Sequence, residues 1–116
     1  MLIKLTIKKT LVKFHNLFIQ VLFFFSLRNI YLRLIKGNQV GTKVAVHNSV
    51  YFFDFGKLTI GDNSTINNGC YIDNRLGVEI GKNVNISHDC KIYTMGHDIN
   101  DPEAKVNGGK VVIEDD

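Results

Sequence analysis

Histidine and cysteine side chains are the groups in this chain best suited to proton transfer, nucleophilic attack or metal binding. The chain has four histidines and two cysteines. An imidazole can accept a proton near neutral pH, so a histidine is a suitable general base for activating a hydroxyl group. No Cys-x-x-Cys or other metal-binding spacing occurs. The candidates are His15, His47, His88, His97, Cys70 and Cys90.

A repeat of twenty residues must position these side chains. Aliphatic or aromatic residues recur in steps of six, six and eight. A six-residue period fits neither an α-helix nor a simple strand, but it fits a chain that turns a corner after each short strand. Three strands and three corners then form one triangular coil, stacked on the next at about 4.8 Å. The repeating residues are Val40, Val46, Phe52, Ile60, Ile66, Ile72, Ile80, Ile86 and Ile92.

The repeating residues are predicted to point into this prism as three stacks. The two surplus residues of each period should bulge from one edge, around residues 53–57 and 74–77. Gly, Asn and Asp at the corners tolerate left-handed backbone angles. A second, smaller inward position follows four residues later and holds Val44, Val50, Ser64, Cys70, Val84 and Cys90. Cys70 and Cys90 are thus stacked neighbours about 5 Å apart, close enough for a disulfide. Since no signal peptide is recognised, we expect free thiols.

The twenty-residue repeat is interrupted in the segment that contains His97. No inward aliphatic pattern resumes until Val112, so residues 93–110 are predicted to form a loop that leaves the prism. Functional groups are concentrated on loops held by rigid scaffolds. His47 and His88 instead occupy outward corner positions, where polar turn residues are ordinary. His97 is therefore the preferred catalytic candidate.

Several of these motifs resemble the hexapeptide repeat of bacterial acyltransferases. The units Val40-Gly-Thr-Lys-Val-Ala, Ile60-Gly-Asp-Asn-Ser-Thr and Ile80-Gly-Lys-Asn-Val-Asn match aliphatic-Gly-x-x-small-x. The run Ile92-Tyr-Thr-Met-Gly-His-Asp is similar to an active-site segment of the sugar O-acetyltransferases in that superfamily. The resemblance covers about residues 38–116. It implies a mainly β fold, a left-handed parallel β-helix of about three coils plus the start of a fourth, and a homotrimer.

The resemblance also implies an activity. Relatives transfer an acetyl group from acetyl-CoA to a hydroxyl of a sugar or surface-polysaccharide precursor, and His97 would be the general base. Transfer in the family is direct, so no cysteine nucleophile and no metal is needed. Asp98 could orient the imidazole. Asp73 and Asn74 resemble polar residues at the acceptor site, although a turn-forming role for this pair is equally weighted. The candidate substrate-binding residues are Asp73, Asn74 and Asp98.

The N-terminal segment differs in charge from the remainder. Residues 1–36 hold seven cations and no acid, whereas residues 37–116 hold seven cations and eleven acids. We predict a basic amphipathic helical segment in residues 1–37, with the helix over residues 10–36. The uncharged run 14–27 would be about 21 Å long as a helix, shorter than a bilayer core of about 30 Å. A transmembrane span is therefore not expected.

Two interpretations of this segment remain open. It could cap the first coil, or residues 4–36 could form an interfacial helix in peripheral contact with an anionic membrane. We favour the cap because the ends of a β-helix need covering. The expected location is the cytoplasm, at the inner membrane surface if the helix is interfacial. A nucleic-acid partner is not expected, because the repeat region is net acidic.

The resemblance weakens at the C-terminus. Relatives continue with further coils that form most of the acetyl-CoA groove, whereas residues 113–116 only open a fourth coil. We therefore expect the N-terminal part of a longer enzyme, with most cofactor-binding residues beyond residue 116. The alternatives are an inactive fragment acting as a structural or assembly module, and a nucleotide-sugar N-acyltransferase. A γ-type carbonic anhydrase is disfavoured, because no histidine pair has the His-x-x-x-x-His spacing.

Overall fold

The computed structural model describes residues 1–116, which form two α-helices followed by twelve short strands. The helices are α1 (Leu2–Val21) and α2 (Phe25–Leu34). The strands are β1 (Gln39–Val40), β2 (Ala45–Val46), β3 (Tyr51–Phe52), β4 (Leu58–Ile60), β5 (Thr65–Ile66), β6 (Tyr71–Ile72), β7 (Val78–Ile80), β8 (Asn85–Ile86), β9 (Lys91–Ile92), β10 (Met95–His97), β11 (Val106–Gly108) and β12 (Val111–Ile113).

Three parallel sheets form the body of the protein. Their strand orders are β1-β4-β7-β12, β2-β5-β8 and β3-β6-β9. Val40 pairs with Ile60 and Ile60 with Ile80, so the register advances by twenty residues at each step. The other two sheets have the same advance. The chain is therefore wound in stacked three-strand rungs, a compact, mainly parallel β-helix-like arrangement with helices at its N-terminal end.

The interior of the rungs is the hydrophobic core. All nine repeating residues are buried, and they lie in the three predicted stacks. The polar residue at the second inward position is satisfied, because Ser64 Oγ donates to the Gly81 carbonyl at 2.6 Å and accepts from the Val84 N–H at 3.0 Å. Cys70 is buried, Cys90 is partly exposed, and both thiols are free, as expected.

Left-handed residues turn the corners of each rung. They recur with the same spacing of twenty: Lys43, Asn63 and Asn83; Ser49, Gly69 and Asp89; and Gly37, Lys57 and Gly77. Close approach between rungs explains the glycine that follows the first strand of a period. A Cβ at Gly61 would lie 2.5 Å from the carbonyl carbon of Gly81, which is inside van der Waals contact. The corner chemistry therefore fixes both the turns and the stacking distance.

The N-terminal segment forms two helices instead of the single helix predicted over residues 10–36. The first helix already begins at Leu2, and Leu22 has an extended backbone (φ −82°, ψ 102°) that ends it. Arg28 Nε donates to the Leu22 carbonyl at 2.7 Å and holds this break. Helix α1 packs on β3, whereas α2 packs on β1 and β2. One straight helix could not reach both sides of the first rung. Neither helix is long and apolar enough to cross a membrane.

Both helices cap the first rung, which consists of β1, β2 and β3. Asn16 is buried, and its side chain accepts from the Phe52 N–H and donates to the Phe52 carbonyl, both at 2.8 Å. Three further side chains donate to first-rung carbonyls: Asn29 to Val44, Arg28 to Val46, and Arg33 to Val40. An unpaired strand edge would otherwise be exposed. The capping interpretation is thus confirmed for the inward faces of the helices.

Candidate functional site

His97 lies on an antiparallel hairpin that leaves the stacked rungs. Strands β10 and β11 form this hairpin, in which His97 pairs with Val106 and Met95 with Gly108. The chain then returns to the body at β12, beside β7. Where the sequence predicted an excursion loop over residues 93–110, the structure has this antiparallel hairpin, which we call the arm.

A single hydrogen bond fixes the His97 ring. Its Nδ1 lies 2.8 Å from the Ala104 carbonyl oxygen. A carbonyl oxygen only accepts hydrogen bonds, so Nδ1 carries the hydrogen in this arrangement. The neutral ring therefore has its free lone pair on Nε2, and the residue is exposed. An exposed imidazole held in this tautomer is a ready proton acceptor.

Asp98 does not take the orienting role that the sequence suggested. Its carboxylate accepts from the Asn100 N–H at 2.9 Å, and its own N–H donates to the Lys105 carbonyl at 2.8 Å. Both bonds stabilise the turn of the hairpin. The Ala104 carbonyl is the group that orients the His97 ring.

Asp73 lies at the base of the hairpin and is fully buried. Its Oδ2 accepts from the N–H groups of Thr94 at 3.1 Å and Met95 at 3.3 Å, where the chain leaves the third sheet. Arg75 donates to both carboxylate oxygens, at 2.8 and 2.9 Å. Both oxygens are thus engaged within the protein. Asp73 supports the arm that carries His97 and is not presented to an acceptor molecule in solvent.

The electrostatics of Asp73 agree with this supporting role. Burial by itself raises the pKa of Asp73. Hydrogen bonds from the Arg75 side chain and from the backbone N–H groups of Arg75 and Thr94 outweigh that effect and lower the pKa from 3.8 to about 2. The carboxylate is therefore ionised at neutral pH and acts as a permanent acceptor at the root of the hairpin.

Asn74 is also fully buried, and it builds the edge bulge of the preceding rung. Its Oδ1 accepts from the Asp54 N–H at 2.8 Å. Its Nδ2 donates to the carbonyls of Asp54 at 2.9 Å and Gly56 at 2.8 Å. The side chain has no free polar group for a substrate. The structure thus favours the turn-forming interpretation of the Asp73–Asn74 pair.

An aromatic surface lies beside the base of the hairpin, and sequence reasoning missed it. We define it as Tyr51, Phe53, Tyr71 and Tyr93. The ring centroids of Phe53 and Tyr93 are 6.1 Å apart, and those of Tyr51 and Tyr71 are 6.0 Å apart. The Arg75 guanidinium lies 5.2 Å from the Phe53 ring centroid. The spacing of twenty between Tyr51 and Tyr71, each directly before an inward residue, was the available signal. Flat faces with polar edges suit stacking against a ring-shaped ligand.

The remaining candidate side chains have structural surroundings. His15 is buried with its Nδ1 2.6 Å from the Tyr31 hydroxyl, and the His47 ring packs against Phe25 at 4.9 Å between centroids. His88 is exposed at a corner. Burial raises the pKa of the Cys70 thiol, which keeps it protonated at neutral pH. No group of three or more His, Cys, Asp or Glu side chains is placed to hold a metal ion.

Comparison of the sequence and structure with known proteins gives no significant match. No family model matches the sequence, and no curated protein or solved structure is significantly similar to it.

Proposed function

We propose that this chain is a left-handed parallel β-helix protein of the hexapeptide-repeat acyltransferase type. In this proposal it transfers an acetyl group from acetyl-CoA to a sugar hydroxyl, with His97 as the general base. The observation that carries the proposal is the state of the His97 ring. It is exposed on an ordered arm, and the Ala104 carbonyl holds Nδ1–H so that Nε2 has the free lone pair.

The proposed reaction is a direct acyl transfer. Nε2 of His97 accepts the proton of the sugar hydroxyl as the oxygen attacks the thioester carbonyl carbon of acetyl-CoA. The tetrahedral intermediate collapses, the carbon–sulfur bond breaks, and the proton passes from Nε2 to the departing thiolate. The products are an acetyl ester and coenzyme A. A general base of this kind contributes about 10²–10⁴ in rate.

The aromatic surface is the proposed place for the acceptor ring. Tyr93 is 55% exposed and lies four residues before His97, where the hairpin leaves the third sheet. A sugar presents an apolar face that can pack on such rings, while its hydroxyls reach toward the imidazole. As the family resemblance implies, we also propose a homotrimer, with acetyl-CoA bound between neighbouring subunits.

The test is turnover of acetyl-CoA by the purified chain with a panel of sugars. Release of coenzyme A is followed by chromatography, because the partly exposed Cys90 would react with thiol reagents. We expect His97→Asn to lower the rate by about 10²–10⁴. His88→Asn is the matched control, since His88 is exposed at a corner without a role in the arm.

Two results would overturn the proposal. One is a folded wild-type chain that releases no coenzyme A from acetyl-CoA with any hydroxyl acceptor of the panel. The other is a His97→Asn variant whose rate stays within threefold of that of the wild type. Treatment of the product with hydroxylamine separates the acceptor classes, because the reagent cleaves an ester but leaves an amide intact. An amide product would mean that the acceptor of the acetyl group is a sugar amine and not a sugar hydroxyl.

A further inference from the structure

The outward face of the two helices is apolar. Of the 22 large hydrophobic side chains that are exposed, 16 belong to residues 1–34. On α1 five of the nine such side chains recur in steps of four, seven, three and four, which places those five on one side of the helix. The residues of this stripe are Ile3, Ile7, Phe14, Leu17 and Val21, each at least 53% exposed. An ordinary surface helix has the opposite arrangement, with its apolar side toward the core.

The inward faces of α1 and α2 help to explain why so many apolar side chains lie outside. The buried residues of α1 include His15 and Asn16, and those of α2 include Arg28 and Asn29. These polar side chains cap the backbone groups of the first rung. Val12, Ile19 and Leu32 are buried beside them, so the inward faces are mixed, whereas most of the large apolar residues of these helices are exposed. Exposed apolar patches larger than a few hundred Å² mark interaction sites in soluble proteins.

The linker between the helices continues the apolar face. Phe23 is 86% exposed and Phe24 is 67% exposed. On α2, Leu27, Ile30 and Leu34 follow Phe23 in steps of four, three and four and are also exposed. Exposed apolar residues thus continue along the sequence from α1 through the linker to the end of α2. We call this surface the outer helical face; it consists of the α1 stripe and of Phe23, Phe24, Leu27, Ile30 and Leu34.

The charges around the outer helical face have one sign. Residues 1–36 carry seven cations, and the first acid of the chain is Asp54. Helical geometry places Lys9 and Lys13 along one border of the α1 stripe and Lys4 along the other. All three lysines are exposed. Lys8 is exposed as well and pairs with Asp54 at 3.3 Å. An apolar face bordered by lysines is the pattern of helices that lie in the headgroup region of a bilayer.

We propose that the outer helical face docks the protein on an anionic lipid surface, with α1 and α2 lying in the plane of the interface. The apolar side chains enter the boundary between headgroups and acyl chains, and the bordering lysines contact lipid phosphates. The charge distribution favours lipid over a second copy of this chain. Two copies joined through this face would bring together two sets of bordering lysines (Lys4, Lys9 and Lys13) with no acid among residues 1–36 to neutralise them.

Vesicle co-sedimentation tests the proposal directly. The full chain is mixed with phosphatidylcholine vesicles and with vesicles that contain phosphatidylglycerol as an anionic component. We expect binding to the anionic vesicles that weakens in high salt. The reason is that the distance over which a surface charge acts falls from about 8 Å at physiological ionic strength to about 3 Å at 1 M salt. Each basic residue near such a surface contributes about a fivefold change in affinity. The triple variant Lys4→Gln/Lys9→Gln/Lys13→Gln should therefore bind about a hundredfold more weakly.

Matched variants keep the interpretation sharp. Lys105→Gln removes an exposed cation of the hairpin and should leave vesicle binding unchanged. Phe23→Ser/Phe24→Ser changes only exposed linker residues, so it should fold normally by circular dichroism and lose most of its binding.

Three outcomes would overturn the proposal. They are an absence of binding to any vesicle, equal binding to neutral and anionic vesicles, and retention of binding by the Phe23→Ser/Phe24→Ser variant. Analytical ultracentrifugation tests whether a second copy of this chain covers the outer helical face instead of lipid. If the wild type self-associates and the linker variant is monomeric, while neither binds vesicles, the outer helical face is an interface between copies.

Discussion

Replacing Asp73 by asparagine removes a buried charge while it preserves the shape of the side chain. Oδ1 of the carboxylate accepts from Arg75 Nε at 2.8 Å, and Oδ2 accepts from the Thr94 N–H at 3.1 Å and the Met95 N–H at 3.3 Å. Asparagine has one oxygen and one amide nitrogen. In either orientation its NH₂ group faces donors, so at least one hydrogen-bonded group at the base of the hairpin loses its acceptor.

The expected loss has two components. Lowering the pKa of Asp73 from 3.8 to about 2 corresponds to about 2 kcal/mol of folding stability at pH 7. A buried donor without an acceptor costs about 1–3 kcal/mol in addition. We therefore expect Asp73→Asn to lower the free energy of unfolding by about 3–5 kcal/mol, which is the range found when one partner of a buried ion pair is removed.

The pH dependence separates the charge component from the packing component. The folded-state pKa of Asp73 is depressed, so its contribution is fully present above the unfolded value of 3.8. The contribution is lost as the pH falls toward about 2. The difference in stability between the wild type and Asp73→Asn should stay constant from pH 7 to pH 5. It should shrink by about 1 kcal/mol at pH 3.

Urea unfolding at these pH values, followed by far-UV circular dichroism, measures the difference. The control is Glu79→Gln, which breaks the exposed pair between Glu79 and Lys110 and should cost less than about 1 kcal/mol. Amide hydrogen exchange at Thr94 and Met95 should accelerate in Asp73→Asn alone. A loss below about 1 kcal/mol at pH 7, or a difference that is unchanged at pH 3, would refute the role assigned to Asp73.

Two further predictions concern the helical cap. Asn16→Ala leaves the buried N–H and carbonyl of Phe52 without partners and should cost about 2–4 kcal/mol in urea unfolding, whereas Asn68→Ala, at an exposed corner, should cost less than 0.5 kcal/mol; equal losses would contradict the capping role. Burial lowers the pKa of His15 below 6.5, and the charge of Asp54 offsets part of this effect. Folding therefore favours the neutral ring, so stability should fall as the pH drops below 6.5, and His15→Gln should remove this dependence; a wild type equally stable at pH 7 and pH 5 would exclude it.

The repeat made the rungs predictable from the sequence. A period of twenty allows only one register in which apolar residues stack on apolar residues, because a slip by one residue turns every side chain to the other face. The pairs Val40–Ile60 and Ile60–Ile80 follow directly from that rule. Position 97 was also predictable as part of an excursion, since it lies where the period fails.

The roles of individual polar side chains were not predictable in the same way. Asp73 and Asn74 form a dipeptide that local rules assign to an exposed turn. Asp73 is buried because two N–H groups from Thr94 and Met95, about twenty residues later, converge on its carboxylate. The hydrogen that Ala104 holds on His97 Nδ1 likewise depends on the strand pairing of the hairpin. Both are long-range contacts, and a local motif contains no information about them.

The break between the helices and the exposure of most of their large apolar residues have one physical origin. The first rung presents carbonyl and N–H groups on two sides, and each needs a partner in a place that water cannot fully reach. Side chains that donate to these groups must therefore occupy the inward face, as Asn16 does in α1 and Asn29 does in α2. Val12, Ile19 and Leu32 are buried beside these polar groups, and most of the other large apolar residues of the helices are exposed. Capping the strand edge of the first rung with polar side chains thus leaves much of the apolar surface of the helices on the outside, and under our proposal the lysines along its border favour an anionic lipid surface there.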